Sequence, residues 1–244
     1  MKKEKKIFDA IISNARPEMQ AMLSSVLKYC SELPLPGQEK VLEKILFAFS
    51  VVDKKFFVEE QAYADTALSI GKGQTISQPS TVAAMLLYAH IQPQDEILEV
   101  GSGSGWNAAL LAFLAYPGKV TSLERYYALS SQARKNVELL RKHLNKENPQ
   151  EGEKMKPGFF AEDILKKSKS WEKKYNKILF TAGILPEMRK RIEHVAQELL
   201  LQDGILLCPQ VSGPMLIFKK QGNLILSETK EAYTFVPLKE GVEE

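Results

Sequence analysis

Three glycines at alternate positions, Gly101, Gly103 and Gly105, with Ser102 and Ser104 between them, end a short apolar run over residues 96–100 that carries one carboxylate, Glu99, near its close. An aliphatic run of this length stopped by glycine reads as a buried parallel strand feeding a tight turn. The Ala- and Leu-rich residues 106–116 that follow favour a helix. Strand, glycine loop and helix leave backbone N–H groups and a helix N-terminus at the carboxyl end of the strand, where open α/β sheets bind their ligands. Such a loop cradles a nucleotide-like cofactor, and the spacing narrows which one. A dinucleotide fingerprint counted from Gly101 needs its third glycine at position 106, which is Trp106; here it arrives one residue early. A P-loop needs Lys-Ser or Lys-Thr after the glycines, and neither follows.

A second carboxylate fits the same chemistry. The apolar run 119–123 ends in Glu124, about twenty residues beyond the loop, where a nucleotide-binding α/β fold places the acid that accepts hydrogen bonds from ribose hydroxyls. Glu124 is the candidate ribose clamp. The remaining pattern, E-x-G-x-G-x-G from Glu99 to Gly105, resembles the first motif of S-adenosylmethionine-dependent methyltransferases, which implies S-adenosyl-L-methionine as cofactor.

The elements that must position these groups can be read along the chain. Apolar residues at helical intervals over 7–29, interrupted at Arg16-Pro17, predict two helical pieces, and 38–49 predicts a third after the Pro34-Leu35-Pro36-Gly37 break. Residues 80–91 read as a helix with Ser80 as its cap. A crossover helix is expected over 126–144, then a solvated loop over 145–157, then strands at 158–164, 177–181 and 204–209 with a helix beginning near Pro186. Residues 215–219 and 223–229, joined at Gln221-Gly222, predict a hairpin. The expected fold is therefore α/β, a doubly wound, Rossmann-like, mostly parallel sheet with a C-terminal antiparallel hairpin, plus N-terminal helices. Residues 1–50 are expected to form a helical extension or cap and 51–244 the methyltransferase domain, and the extension over 1–33 is expected to influence stability more than turnover.

Bulk properties exclude several classes. A net charge of +3 over 244 residues and a pI near 8.6 are too mild for a nucleic-acid binder. His90, His143 and His194 are scattered without ligand spacing, so no metal is expected. Cys30 and Cys208 stand alone, which suits a reducing cytoplasm. The basic start is followed by a stretch broken by Asp9, Asn14 and Arg16, too short for a signal core, and nothing is long enough to cross a bilayer. The sequence leaves the oligomeric state open.

More specific than any glycine pattern is Gly73-Gln74-Thr75-Ile76-Ser77-Gln78-Pro79, upstream of the glycine loop. Together with Thr181-Ala182-Gly183 after the fourth strand and Phe235-Val236-Pro237-Leu238 near the end, it resembles the protein-L-isoaspartate O-methyltransferases over roughly residues 38–241. The resemblance implies methylation of the free carboxylate of L-isoaspartyl residues in damaged proteins or peptides. It implies Ser77 at the acceptor, and Gln74, Thr75, Ile76, Glu99, Gly101, Ser102, Gly103, Gly105, Glu124, Arg125, Asp163 and Ile164 at the cofactor, with Asp163 and the Ile164 backbone on the adenine. Departures at Ser80-Thr81-Val82, at Asp65-Thr66-Ala67-Leu68-Ser69 and at Gln210-Val211-Ser212-Gly213-Pro214 bear on the acceptor. A methyltransferase for another carboxylate or a small molecule, or a catalytically silent module that keeps the cofactor pocket, stay open as alternatives.

The chemistry asked of such a site is modest. Displacement at a sulfonium methyl releases a neutral leaving group, and an acceptor carboxylate is already ionised at neutral pH, so neither a general acid nor a general base is needed. Positioning dominates, and alignment of two reactants is worth up to about 7–11 kcal/mol. A serine hydroxyl orients a carboxylate without neutralising it, whereas a lysine or arginine would hold the anion more tightly before its charge disperses than after.

Overall fold

The structure, a computed structural model, describes residues 2–167 and 169–243. Three helices open the chain: α1 (Lys2–Asn14), α2 (Pro17–Ser31) and α3 (Glu39–Val51). The break between the first two lies where the sequence puts it, because Pro17 at the first position of α2 forces Arg16 into an extended conformation. A small antiparallel hairpin follows, β1 (Leu68–Gly71) on β2 (Gln74–Ile76), then α4 (Pro79–Ala89). The alternating part comprises β3 (Ile97–Val100), α5 (Trp106–Ala115), β4 (Val120–Glu124), α6 (Tyr127–Glu147), the short α7 (Pro149–Glu153), β5 (Gly158–Ala161), β6 (Tyr175–Phe180), α8 (Arg189–Leu199) and β7 (Leu200–Cys208). The chain ends with β8 (Ser212–Gly213), β9 (Leu216–Gln221), β10 (Asn223–Glu228) and β11 (Tyr233–Thr234).

Seven strands form one sheet in the order β10-β9-β7-β6-β3-β4-β5. The five from β7 to β5 run parallel, and the β9–β10 hairpin adds antiparallel to β7, as expected. From β3 the chain winds outward through β4 and β5 on one side and through β6 and β7 on the other, so the order reverses between β3 and β6. That switch point opens a crevice at the carboxyl ends of the strands. Side chains alternate across the sheet: Ile97 and Leu179 join the core under α2 to α6, while Leu98, Ile178 and Phe180 join the core under α8. Met19, Leu23, Leu46 and Phe49 of the N-terminal helices share the first of these cores with Leu110 and Leu111 of α5.

Several local expectations differ from the structure. Ser80 does not cap α4; Gln78 precedes the helix and Pro79 takes its first turn, where a missing N–H costs nothing. Ser80 instead gives its N–H to Asp65 Oδ1 at 2.8 Å. The segment expected as a solvated loop over 145–157 continues α6 to Glu147 and adds α7, because Pro149 initiates a turn and Met155, 1% exposed, anchors the segment in the core. The third strand ends at Ala161 rather than Asp163, with the Glu162 N–H bonding Glu124 O as a last rung.

Candidate active site

The glycine loop is held in place by its neighbours on all sides. Gly101, Gly103 and Gly105 have φ of +105°, +51° and +90°, and the N–H groups of Gly101 and Ser102 both donate to Leu123 O. A Cβ on Gly101 would overlap Thr181 Oγ1, whose hydroxyl donates to Gly101 O at 2.6 Å. Gly105 serves packing instead, since a Cβ there would lie 2.9 Å from Ala133 O of α6; this glycine permits close helix approach and does not line the cavity. Trp106, one position later, is buried, donates Nε1–H to Val52 O at 3.0 Å and sets its ring edge-on to Phe49. The residue that breaks the dinucleotide fingerprint thus ties the loop to α3.

Two carboxylates sit at different depths. Glu124, 6% exposed, lines the cavity. Its Oε2 accepts from Gly103 N at 3.0 Å and its Oε1 from Tyr126 N at 3.1 Å. A carboxylate has about four acceptor positions, so capacity for ligand hydroxyls remains after both loop bonds. Glu99, expected at the cofactor, lies beneath the loop and does not line the cavity, because the alternation of β3 turns its side chain toward α5. Asn107 Nδ2 donates to its Oε1 at 2.8 Å, and Ser122 Oγ donates to Oε2 while sitting 2.6 Å from Ser102 Oγ. Glu99 is therefore a scaffold for Ser102 and Asn107, both of which do line the cavity.

Burial pushes the Glu99 carboxyl up to about 8, against the hydrogen bonds from Ser122 and Asn107 and aided by the Glu124 charge. With the folded value above the ordinary 4.5, the folded state holds a proton that the unfolded state releases, so stability falls as pH rises from about 4.5 to about 8. Glu99→Gln should remove this loss. Thermal midpoints of variant and parent should coincide near pH 4.5 and diverge in the variant's favour up to pH 8.5; parallel profiles would contradict the assignment.

The far wall of the cavity comes from the chain's end. Val236, Pro237, Leu238 and Lys239 line it beside Asp163 and Ile164. Asp163 Oδ2 accepts from Gly241 N at 2.7 Å and Oδ1 from Leu165 N at 2.9 Å, so this residue anchors the C-terminal segment as well as bordering the cavity. Arg125 also lines the cavity, but its guanidinium bonds Gly241 O, Glu240 O and the Glu243 carboxylate. This C-terminal wall is absent from the residues expected at the site, although Phe235-Val236-Pro237-Leu238 is the string that signals it.

Gln74, Thr75, Ile76 and Ser77 border the cavity together, and the cavity is partly open to solvent. Thr75, Ser77 and Thr181 also border a smaller adjoining pocket with Thr81, Thr234 and Phe235. No residue lining that pocket is charged. Among the described residues nothing hydrogen-bonds the Ser77 hydroxyl, whereas Thr181 is engaged by the loop. Thr81, one of the positions that depart from the family pattern, falls in this second pocket, whereas Val82 beside it lines the first. Among the described residues no group of His, Cys, Asp and Glu is placed to hold a metal ion, and no helix is long and apolar enough to cross a membrane.

A doubly wound sheet whose first strand ends in positive-φ glycines under the carboxylate of the second defines a Rossmann-like methyltransferase. The sequence model of the protein-L-isoaspartate(D-aspartate) O-methyltransferase family (PCMT) matches residues 37–243, and the chain belongs to that family. It is 34% identical over 230 residues to the protein-L-isoaspartate O-methyltransferase of Photorhabdus laumondii, covering 90% of this chain and 99% of that one. It is 36% identical over 208 residues to that of Photobacterium profundum, covering 82% and 88%. The fold is shared with a Plasmodium falciparum chain assigned to the same family and solved in complex with S-adenosyl-L-homocysteine. There the TM-score is 0.71 at 22% identity, over 91% of this chain and 98% of that one.

Proposed function

We propose that the protein transfers the methyl group of S-adenosyl-L-methionine to the free carboxylate of L-isoaspartyl residues in damaged proteins or peptides. The observation that carries this reading is the meeting of two cavities along Thr75, Ser77, Thr181 and Val236, one built on the glycine loop and Glu124, the other hydroxyl-rich and uncharged. The cofactor, when bound, supplies an electrophilic methyl on a sulfonium. The residues present fit it: Gly101, Ser102 and Gly103 offer a close backbone approach, Glu124 retains acceptor capacity for ribose hydroxyls, and Asp163 and Ile164 border the side assigned to adenine. Gln74, Thr75 and Ile76 form the wall between cofactor and acceptor, and Arg125 with Asp163 fastens the C-terminal segment over the cavity. Glu99 and Gly105 shape the loop from behind.

On the acceptor side, the uncharged pocket strips water from an incoming carboxylate without pairing it to a cation, and the Ser77 hydroxyl orients it. The protein works in the cytoplasm, with residues 1–50 as a helical cap on 51–244. Neither nucleic acid nor a membrane is its partner.

Glu124→Ala should weaken binding of S-adenosyl-L-methionine at least tenfold, since a hydrogen bond to a charged group is worth roughly 1.5–3 kcal/mol and the change also frees the Gly103 N–H. Calorimetry showing unchanged affinity would sink the ribose assignment. The activity itself is tested with methyl-labelled cofactor and a panel of acceptors: isoaspartyl peptides, ordinary aspartyl peptides and small carboxylic acids. Base-labile label on isoaspartyl peptides supports the proposal. Label on small acids alone, or cofactor binding without transfer to any acceptor, overturns it.

A further inference from the structure

The first two helices lie ahead of residue 37, where the family match begins, yet one of their side chains reaches the acceptor wall. Tyr29, in the last turn of α2, brings its hydroxyl to 3.2 Å from that of Tyr233. Tyr233 is 7% exposed and is the first residue of β11. The residues that follow it, Thr234, Phe235 and Val236, line the uncharged pocket together with Ser77, and Val236 also lines the larger cavity.

β11 is a weak element by itself. Its ladder consists of Tyr233 against Gly213 and Thr234 against Ser212 of β8, itself two residues long. Beyond them the Phe235 N–H donates to Val211 O at 3.1 Å and the Gly183 N–H to Val236 O at 2.8 Å, which fastens the far end of the segment, while its start at Tyr233 is tethered by side chains. One tether is the Tyr29 hydroxyl. The other is Tyr88 of α4, which donates to Glu231 Oε2 at 2.7 Å just upstream of β11. Burial raises the pKa of Tyr29, Tyr88 and Tyr233 alike, so all three hydroxyls stay protonated across the physiological range. The rings of Tyr29 and Tyr88 pack on a small apolar cluster of Met85, Leu207, Met215, Tyr233 and Phe235, which is the underside of the same wall.

We propose that Tyr29 is a positioning residue for methyl transfer: through its hydroxyl on Tyr233 it sets the Thr234–Val236 wall, making the N-terminal extension part of the acceptor pocket. This rests on the acceptor reading given under Proposed function. It enlarges the role expected from sequence, in which the extension acts chiefly on stability.

The test is Tyr29→Phe, which deletes one hydroxyl and keeps the ring in its apolar cluster. KM for an isoaspartyl peptide should rise about three- to tenfold, the worth of one neutral hydrogen bond, while affinity for S-adenosyl-L-methionine stays within twofold. Tyr233→Phe should do the same, and the double variant should be no worse than either single one, since both remove the same bond. A merely structural tyrosine would instead lower the melting temperature and leave the peptide KM alone. An unchanged KM, or losses that add in the double variant, would overturn the proposal. Should the parent protein fail to methylate isoaspartyl peptides, the functional reading falls separately, and amide hydrogen exchange still decides the tether. Tyr29→Phe should speed exchange at Thr234 and Phe235 and leave Gly101 and Gly103 unchanged; unchanged exchange at Thr234 and Phe235 would overturn it.

Discussion

Replacing Gly101 by alanine should lower the affinity for S-adenosyl-L-methionine by about a hundredfold or more, with the protein still folded. Two costs combine at this position. The backbone sits at φ +105°, a conformation that costs a side-chain-bearing residue roughly 1–3 kcal/mol. The new Cβ would also overlap Thr181 Oγ1, which cannot swing aside without giving up its bonds to Gly101 O and Val100 O. Each of those is worth about 0.5–1.5 kcal/mol. The loop relieves the overlap by moving, and the N–H groups that follow it move as well. Gly222→Ala isolates the backbone cost: φ is +70° but nothing lies within 4 Å of the added Cβ, and the site is the β9–β10 turn. That variant should lose about 1–2 kcal/mol of stability with cofactor affinity unchanged. Calorimetric titration of both variants decides the matter; affinity within threefold of the parent in Gly101→Ala would show that the loop does not carry the cofactor.

Ser77→Ala should leave cofactor affinity almost unchanged and lower the rate of methyl transfer by about 10²–10³, or about 2.7–4 kcal/mol if the hydroxyl acts as a preorganised donor. Three observations favour so large an effect. The hydroxyl stands where the two cavities meet, nothing among the described residues already takes it, and the neighbouring pocket holds no charge to substitute for it. Its backbone is also firmly placed, since α4 starts at Pro79 and Asp65 holds the Ser80 N–H. The competing role, a turn residue bonding its own backbone, has no such bond in the structure. Single-turnover rates with a saturating isoaspartyl peptide measure the effect. Full activity in a folded, cofactor-competent Ser77→Ala would remove Ser77 from the reaction.

The cofactor half of this protein is legible in the sequence because each of its parts is local. A strand, a glycine-rich turn and a helix lie in one stretch of chain, and the spacing from Gly101 to Glu124 is fixed by one crossover. Glu124 therefore lands beside the glycine loop, where its Oε2 accepts from the Gly103 N–H. Glu99 and Gly105 share the same motif but face α5 and α6, and a string of letters does not show which face of a strand a side chain takes until the helix partners are known. Arg125 and Asp163 border the cavity, yet their bonds to Gly241 join residues more than seventy positions apart, which no local pattern encodes. Tyr29 and Tyr233 are a further case, paired across 204 positions by the packing of α2 on α4. Ser80 shows the opposite error: a good capping residue loses the place to Gln78 because Pro79 next to it suits the first helical turn better.

The central claim, that the uncharged pocket at Ser77 presents an isoaspartyl carboxylate to the cofactor, is tested most directly by comparing kcat/KM for two peptides of one sequence. One carries a single L-isoaspartyl linkage and the other the ordinary aspartyl linkage, and mass spectrometry locates the added methyl. The account predicts one added methyl ester on the isoaspartyl carboxyl group and no measurable turnover of the aspartyl twin. Equal turnover of both peptides, or methylation at any other group, would contradict it.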